Sequence, residues 1–462
     1  MKAIEKYVEA HKDRFIAELL AFLRIPSISA NKEHVPDMKK AALFLEEALL
    51  KAGCDKVDVL PTAGHPLVYA EKQVSPDLPT ILVYGHYDVQ PSDPDSLWKT
   101  PPFEPTIRNG NIYARGACDD KGQVYLHIKA LEAMVAADAL ACNVKFLIEG
   151  EEEIGSPHVT SFMKDSANAD LLACDVVLVS DMSMPAMDQP VIPISLRGVV
   201  MIKISIEGPN RDLHSGVYGG GVANPLHALV SLLAMLRDDH NRVTIPDFYR
   251  DVKTYTDEER AFFNQKPFDL ASYQKDLGIA EVVGEQGYNT LERTSIRPTL
   301  EINGVWGGAT MPKTVLPSKA YAIVSMRLVA NQDHEMIVER CEAYIETLAA
   351  RLPALKGTQV RVERVPGGSD AFALPTDAKA IQAVRQAFQK AWGGKPPILV
   401  GEGGSIPLLT SFQQHVSKEI APLGFGLDDD NIHSPNEKFG VQNYLKGIQT
   451  VCAFHHAYLN RC

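Results

Sequence analysis

The chain is poor in the features that mark several functional classes. Its seven cysteines (Cys54, Cys118, Cys142, Cys174, Cys341, Cys452 and Cys462) are scattered, odd in number and nowhere arranged as CxxC. That spacing argues against a disulfide framework and against a cysteine-rich zinc site, and it predicts a reducing, cytoplasmic setting. Basic residues are outnumbered, 46 Lys and Arg against 58 Asp and Glu, for a formal net charge of -12. A general nucleic-acid binder would show the opposite balance on at least one face, so nucleic acid is not an expected partner. No stretch approaches about 18 uninterrupted apolar residues, so neither a membrane span nor a membrane partner is expected. The opening segment Met1 to Tyr7 has no apolar h-region, which predicts no signal peptide. Internal repeats and low-complexity segments are missing too.

The remaining composition is that of a globular enzyme-sized chain: 462 residues, 45% hydrophobic and 23% charged. Two large domains or about three ordinary ones fit that length. The first third alternates strand and helix signals. Ile81 to Tyr84, Val144 to Ile148 and Val176 to Val179 read as buried strands. Ala41 to Ala52, ending at Gly53, and Gln123 to Ala137 read as helices. This alternation predicts an α/β fold: a large domain with a mostly parallel sheet flanked by helices. The middle reads differently, as β-α-β-β-α-β over Val199 to Glu207, Pro225 to Arg237, Pro298 to Asn303, Tyr321 to Val329, Asp333 to Arg351 and Gln359 to Val365. That is the order of a ferredoxin-like α+β unit. The predicted division is 1–197 and 369–462 for the large catalytic domain, with a smaller lid or dimerisation domain, 198–368, inserted into it. Residues 240–295, polar and rich in Tyr and charge, read as an insertion within the smaller domain.

Placed on that map, His86 and Asp88 follow the strand at 81–84. Asp119 and Asp120 precede the helix starting near Gly122. Glu151, Glu152 and Glu153 follow the strand at 144–148, Asp181 follows the strand at 176–179, and His433 lies in a polar loop. In open α/β sheets ligands bind at the carboxyl ends of the strands, so separate loops can bring these groups to one edge. Each alone has a common structural use: a packed histidine, a solvated charge cluster, a helix cap, a turn residue. Together they have a shared physical need. Crowded carboxylates repel, burial raises that cost, and a bound divalent cation removes both penalties. Imidazole with carboxylate suits zinc, and manganese also fits. Two histidines and three carboxylates, one of them shared, would serve two metals about 3.5–4 Å apart.

Five segments then carry a family resemblance. They are Tyr84-Gly85-His86-Tyr87-Asp88-Val89-Gln90-Pro91, Ala114 to Gly122 around Asp119-Asp120, Glu149 to Ser156, Arg211-Asp212-Leu213-His214-Ser215-Gly216, and His433-Ser434-Pro435-Asn436-Glu437. In this order they resemble the M20 family of di-metal peptidases, most of all its nonspecific dipeptidase and carnosinase branch. The resemblance implies His86 and Asp181 on one metal, Glu153 and His433 on the other, and Asp119 bridging, with a cis Asp119–Asp120 peptide. It implies Glu152 as the general base, Asp88 as the residue orienting His86, and His214 as the group polarising the scissile carbonyl from the other subunit of a homodimer. Arg327 would grip a substrate's terminal carboxylate, and Gly403, Gly404 and Ser405 would line the substrate site with backbone groups. Glu151 falls outside the family's pair and reads as solvated.

The expected function is hydrolysis of the amide bond of dipeptides with a free C-terminal carboxylate, using two divalent metal ions per subunit. An N-acyl or N-succinyl amino acid amidohydrolase is the alternative. A non-catalytic binding relative is disfavoured because the full ligand set and Glu152 occur together.

Overall fold

The computed structural model describes residues 1–404 and 406–460. Contacts within the chain divide it into two compact units. The first comprises 1–194, 374–400 and 411–462, and the second comprises 195–373 and 401–410. The division differs from the sequence-based one in one instructive place. The stretch 401–410 belongs with the second unit although the chain on both sides of it belongs to the first.

The first unit is built on a six-stranded sheet. Its strands run in the order Lys56–Leu60, Leu67–Lys72, Asn143–Glu149, Thr80–His86, Val176–Val179 and Ile420–Pro422. The first two pairings are antiparallel and the remaining three are parallel. The central strands are mostly apolar and almost wholly buried, Val176–Val179 completely so, as strands covered on both faces must be. Register aligns their carboxyl ends: His86 lies opposite Glu149, and Tyr84 opposite Val179. The loops leaving those three strands therefore start side by side.

Helix Lys121–Ala136 lies against strand Thr80–His86 and is buried on nearly every side. Helices Lys2–Leu23, Val35–Ala52 and Val441–Leu459 enclose it. Helix Val35–Ala52 ends where the sequence signals it, at Gly53 with φ 101°. Its neighbour Lys121–Ala136 starts at Asp120, whose carboxylate does not cap it but turns elsewhere.

The second unit carries a four-stranded antiparallel sheet in the order Thr299–Gly307, Lys319–Leu328, Gly198–Glu207 and Gln359–Ser369. Alternate residues of these strands, among them Ile202, Ile204, Val324 and Met326, form a core with Leu229 and Leu232 of helix Pro225–Ala234 and Ile337 and Ile345 of helix His334–Arg351. Element order is β-α-β-β-α-β. Between the first helix and the next strand lies a segment with three short helices, Asp257–Phe263, Leu270–Leu277 and Thr290–Ser295. Two arginine forks tie it together: Arg260 to Glu292 at 2.7 and 2.8 Å, and Arg297 to Glu285 at 2.7 Å on both branches. Among the described residues no helix is long and apolar enough to cross a membrane.

Candidate metal centre

Seven of the sequence-predicted residues converge at the carboxyl edge of the first unit's sheet. Asp119 is the pivot. Its Oδ1 lies 3.1 Å from His86 Nε2, and its Oδ2 lies 2.8 Å from His433 Nε2. Asp181 Oδ2 joins the His86 side at 3.8 Å, and Glu153 Oε2 joins the His433 side at 3.1 Å. The result is two donor groups, His86–Asp119–Asp181 and Asp119–Glu153–His433, sharing one carboxylate with one oxygen for each. In both groups the donor atoms lie within 4.8 Å of one another, a spacing a single cation can span.

Protein charge alone does not satisfy this cluster. Burial and the nearby Asp119 charge push Asp181 up to about 7. Burial also pushes Glu152 up to about 9, with Asp181, Asp119 and Glu153 adding to the shift against the opposing pull of His86. Asp119 moves the other way: burial raises it, but hydrogen bonds from His433 and His86 outweigh that and hold it below the usual carboxylate range. The same contacts, to Asp119 first and then to Glu153, raise His433 to about 10. Asp181 and Glu152 are driven toward protonation around an Asp119 held ionised, and a donor set so strained, facing two imidazoles, fits divalent cations.

The cluster is held by main-chain bonds. Asp88 is fully buried and its Oδ1 faces His86 Nδ1 at 3.2 Å. The same carboxylate accepts the backbone N–H groups of Glu152 at 3.2 Å and Glu153 at 3.1 Å, so it fixes one imidazole and the adjacent glutamate pair together. Asp120 Oδ2 accepts the N–H of His86 at 3.1 Å. Gly85 leaves the room this needs, since a Cβ there would fall 2.7 Å from that same oxygen. The Asp119–Asp120 peptide is cis.

Two groups that hold the site carried no role in the sequence reading. Glu437 is completely buried and accepts from Arg115 Nη1 at 2.6 Å and from the N–H groups of Gly116, Cys118 and Asp119 at 3.0, 2.9 and 3.2 Å. It thereby shapes the loop that presents Asp119. Gln90 donates from its backbone and its side chain to Glu153, at 3.2 and 2.8 Å. Both residues sit inside the matched segments, so that proximity was the signal. Glu151 overturns an expectation. It is 4% exposed rather than solvated, because His65 N–H and His158 Nδ1 bind its carboxylate at 3.1 and 2.6 Å.

The other predicted residues lie in the second unit. His214 is exposed, in a two-residue strand paired with Val315–Leu316, and its Nδ1 accepts from Gly216 N–H at 3.1 Å. Arg327 is half-buried on strand Lys319–Leu328. Gly403 and Gly404 flank Arg197, whose Nε donates to Gly403 O and whose N–H donates to Gly404 O, each at 3.1 Å. Ser405 lies outside the described residues.

Residues 82–457 match the family model described as peptidase family M20/M25/M40. The chain is 30% identical to the Cys-Gly metallodipeptidase dug1 of Schizosaccharomyces pombe, over 97% of this chain and 96% of that protein. It is 28% identical to the Beta-Ala-His dipeptidase of Rattus norvegicus, over 98% and 94%. Among solved structures, the M20 family metallo-carboxypeptidase Sso-CP2 of Sulfolobus solfataricus is similar with a TM-score of 0.83 and 31% identity, covering 96% of this chain and 99% of that one.

Proposed function

The chain belongs to peptidase family M20/M25/M40, and we propose that it is a two-metal dipeptidase cleaving substrates with a free C-terminal carboxylate. The observation that carries this reading is the paired donor set pivoting on Asp119. The relatives named as dipeptidases, similar over almost their whole length, support the substrate class.

His86, Asp119 and Asp181 would hold one divalent cation, and Asp119, Glu153 and His433 the other, with zinc first and manganese second by donor type. Such a pair, when bound, supplies a water of lowered pKa and polarises a carbonyl. The chain's own residues supply the rest. Glu152 neighbours Glu153 but belongs to neither donor group; two bound cations would hold it ionised, and its carboxylate would be the base that takes the water's proton and returns it to the leaving amine nitrogen. Asp88 keeps His86 and the Glu152–Glu153 backbone in register. His214, exposed on the second unit, would donate to the scissile carbonyl oxygen of a partner subunit's substrate in a homodimer. Arg327 would receive the substrate carboxylate, and Gly403, Gly404 and Ser405 its backbone. We assign the second unit the part of lid and dimerisation domain. We place the protein in the cytoplasm, consistent with cysteines that form no disulfide among the described residues.

The test is turnover by protein reconstituted with Zn²⁺ or Mn²⁺, on dipeptides against N-acetyl and N-succinyl amino acids. Dipeptides should be cleaved fastest; exclusive turnover of N-acyl substrates would instead identify an amidohydrolase. Glu152→Gln should lower kcat by about a thousandfold while metal content stays at the wild-type level. A variant that keeps most of its activity removes Glu152 from the role.

A further inference from the structure

The Glu153 carboxylate is gripped by a neutral side chain. Gln90 donates to this residue three times: from its backbone N–H to Oε1 at 3.2 Å, and from Nε2 to Oε2 at 2.8 Å and to the main-chain carbonyl at 3.3 Å. Asp88 accepts the Glu153 N–H at 3.1 Å, so the main chain is held as well. The Glu153 side chain is only 3% exposed. Gln90 is itself firmly placed. Val89 N–H donates to Ser27 O at 2.9 Å, and Pro91 O accepts from Arg115 Nη2 at 3.2 Å. Gly116 lies so close that a Cβ there would fall 2.6 Å from Val89 Cγ1.

These contacts use up most of what the carboxylate can offer. A carboxylate has two oxygens with about four lone-pair directions. Oε1 accepts the Gln90 N–H, while Oε2 accepts the Gln90 amide and lies 3.1 Å from His433 Nε2. The donor group on this side thus draws one atom from each residue: Asp119 Oδ2, Glu153 Oε2 and His433 Nε2. Asp119 has no second oxygen to spare, since its Oδ1 lies 3.1 Å from His86 Nε2.

The number of oxygens matters to the cation. Zinc is satisfied by four donors, so three protein atoms leave one open place. Manganese favours six, mostly oxygen, and gains when a carboxylate swings round to chelate through both of its oxygens. A glutamine that occupies one oxygen and fixes the plane of the other works against that swing.

We infer that Gln90 is a positioning residue that sets cation choice at the Asp119–Glu153–His433 group, holding Glu153 to single-oxygen ligation and so favouring zinc over manganese there. This role presupposes the two-metal reading, and it is tested without substrate.

Calorimetric competition between Zn²⁺ and Mn²⁺ on the full chain, first stripped of metal, gives the preference at each of the two positions. Gln90→Met keeps the side chain's bulk and removes the amide. It should lower the zinc-over-manganese preference of one position by about tenfold and leave the other as it is. Gln90→Glu keeps the shape but sets a like charge against Glu153. It should shift the same position in the same direction, which covers the case of a Gln90→Met protein that does not fold. An unchanged preference in either folded variant overturns the inference. So does an equal loss of both cations, the result of a Gln90 that merely props the loop. Co²⁺ supplies a second readout, because its visible absorption weakens as its coordination number rises from four towards six. Cobalt-loaded Gln90→Met should absorb more weakly than cobalt-loaded wild type, and equal spectra overturn the inference. Wild type that binds no cation ends the two-metal reading itself, and Gln90's role with it. Wild type that binds two, with a preference untouched by Gln90→Met, removes the role of Gln90 alone.

Discussion

The two units collect charge of opposite sign and hold it by different means. In the first, carboxylates are fixed by main-chain N–H groups: Asp88 by Glu152 and Glu153, Asp120 by His86, Glu437 by three residues of the Asp119 loop. In the second, arginines do the holding through side-chain forks and bonds to carbonyls. The difference teaches where tolerance lies. Donors tied to the backbone of aligned strand ends keep positions to fractions of an ångström, as metal coordination demands. Arginine forks are held only by other side chains and by carbonyls, so they tolerate small shifts.

That contrast can be broken most forcefully at Glu437. Glu437→Ala leaves Arg115, 1% exposed, without its carboxylate and frees three N–H groups. It should destabilise the protein by about 3–5 kcal/mol in denaturant unfolding and weaken metal binding with it. A variant with unchanged stability and metal content would show that the loop is not held through Glu437.

On the arginine side, Arg297→Met removes the fork to Glu285 and the stacking on Tyr249 and Tyr288. The expected loss is smaller, about 2 kcal/mol, with metal content untouched and proteolysis faster within 240–295. Metal loss in this variant would erase the distinction between the two regions.

A pH dependence confined to the first unit supplies the last test. Burial pushes His127 and His455 down to about 3, so both are neutral when folded. The unfolded chain binds their protons below about pH 6.5 while the folded chain does not. Stability is therefore fully present above that pH and falls as pH drops toward 3, by about 1.4 kcal/mol per unit for each histidine. Urea unfolding at pH 7 and pH 5 measures the slope, and His455→Gln should reduce it by one proton's worth. An unchanged slope would show that His455 does not titrate in this way.

Much of the site was legible because His86, Glu153 and Asp181 follow strands whose apolar runs stand out, and Asp119 precedes a helix that starts where its periodicity does. The parallel strands, the β-α-β-β-α-β order and the polar insertion were likewise visible as local patterns. What escaped depends on distant chain segments. Nothing near Glu437 announces that it meets Arg115, 322 residues away. Glu151 reads as solvated in a run of three acids until His65 and His158 arrive to bury it. The return of 401–410 to the second unit is invisible in composition, because it follows from Arg197 binding Gly403 and Gly404 across about 200 residues.

Helix Lys121–Ala136, enclosed on nearly every side, also sets an order of events during synthesis. Its surroundings include Val441–Leu459, which leaves the ribosome only after the whole second unit has been made. Until then the nascent first unit lacks the strand Ile420–Pro422, the candidate metal-site residue His433 and the closing helix. The second unit can complete its own sheet as soon as 359–369 emerges, whereas the first must wait with an uncovered apolar helix. A translating chain thus carries an uncovered apolar helix through the whole synthesis of the second unit.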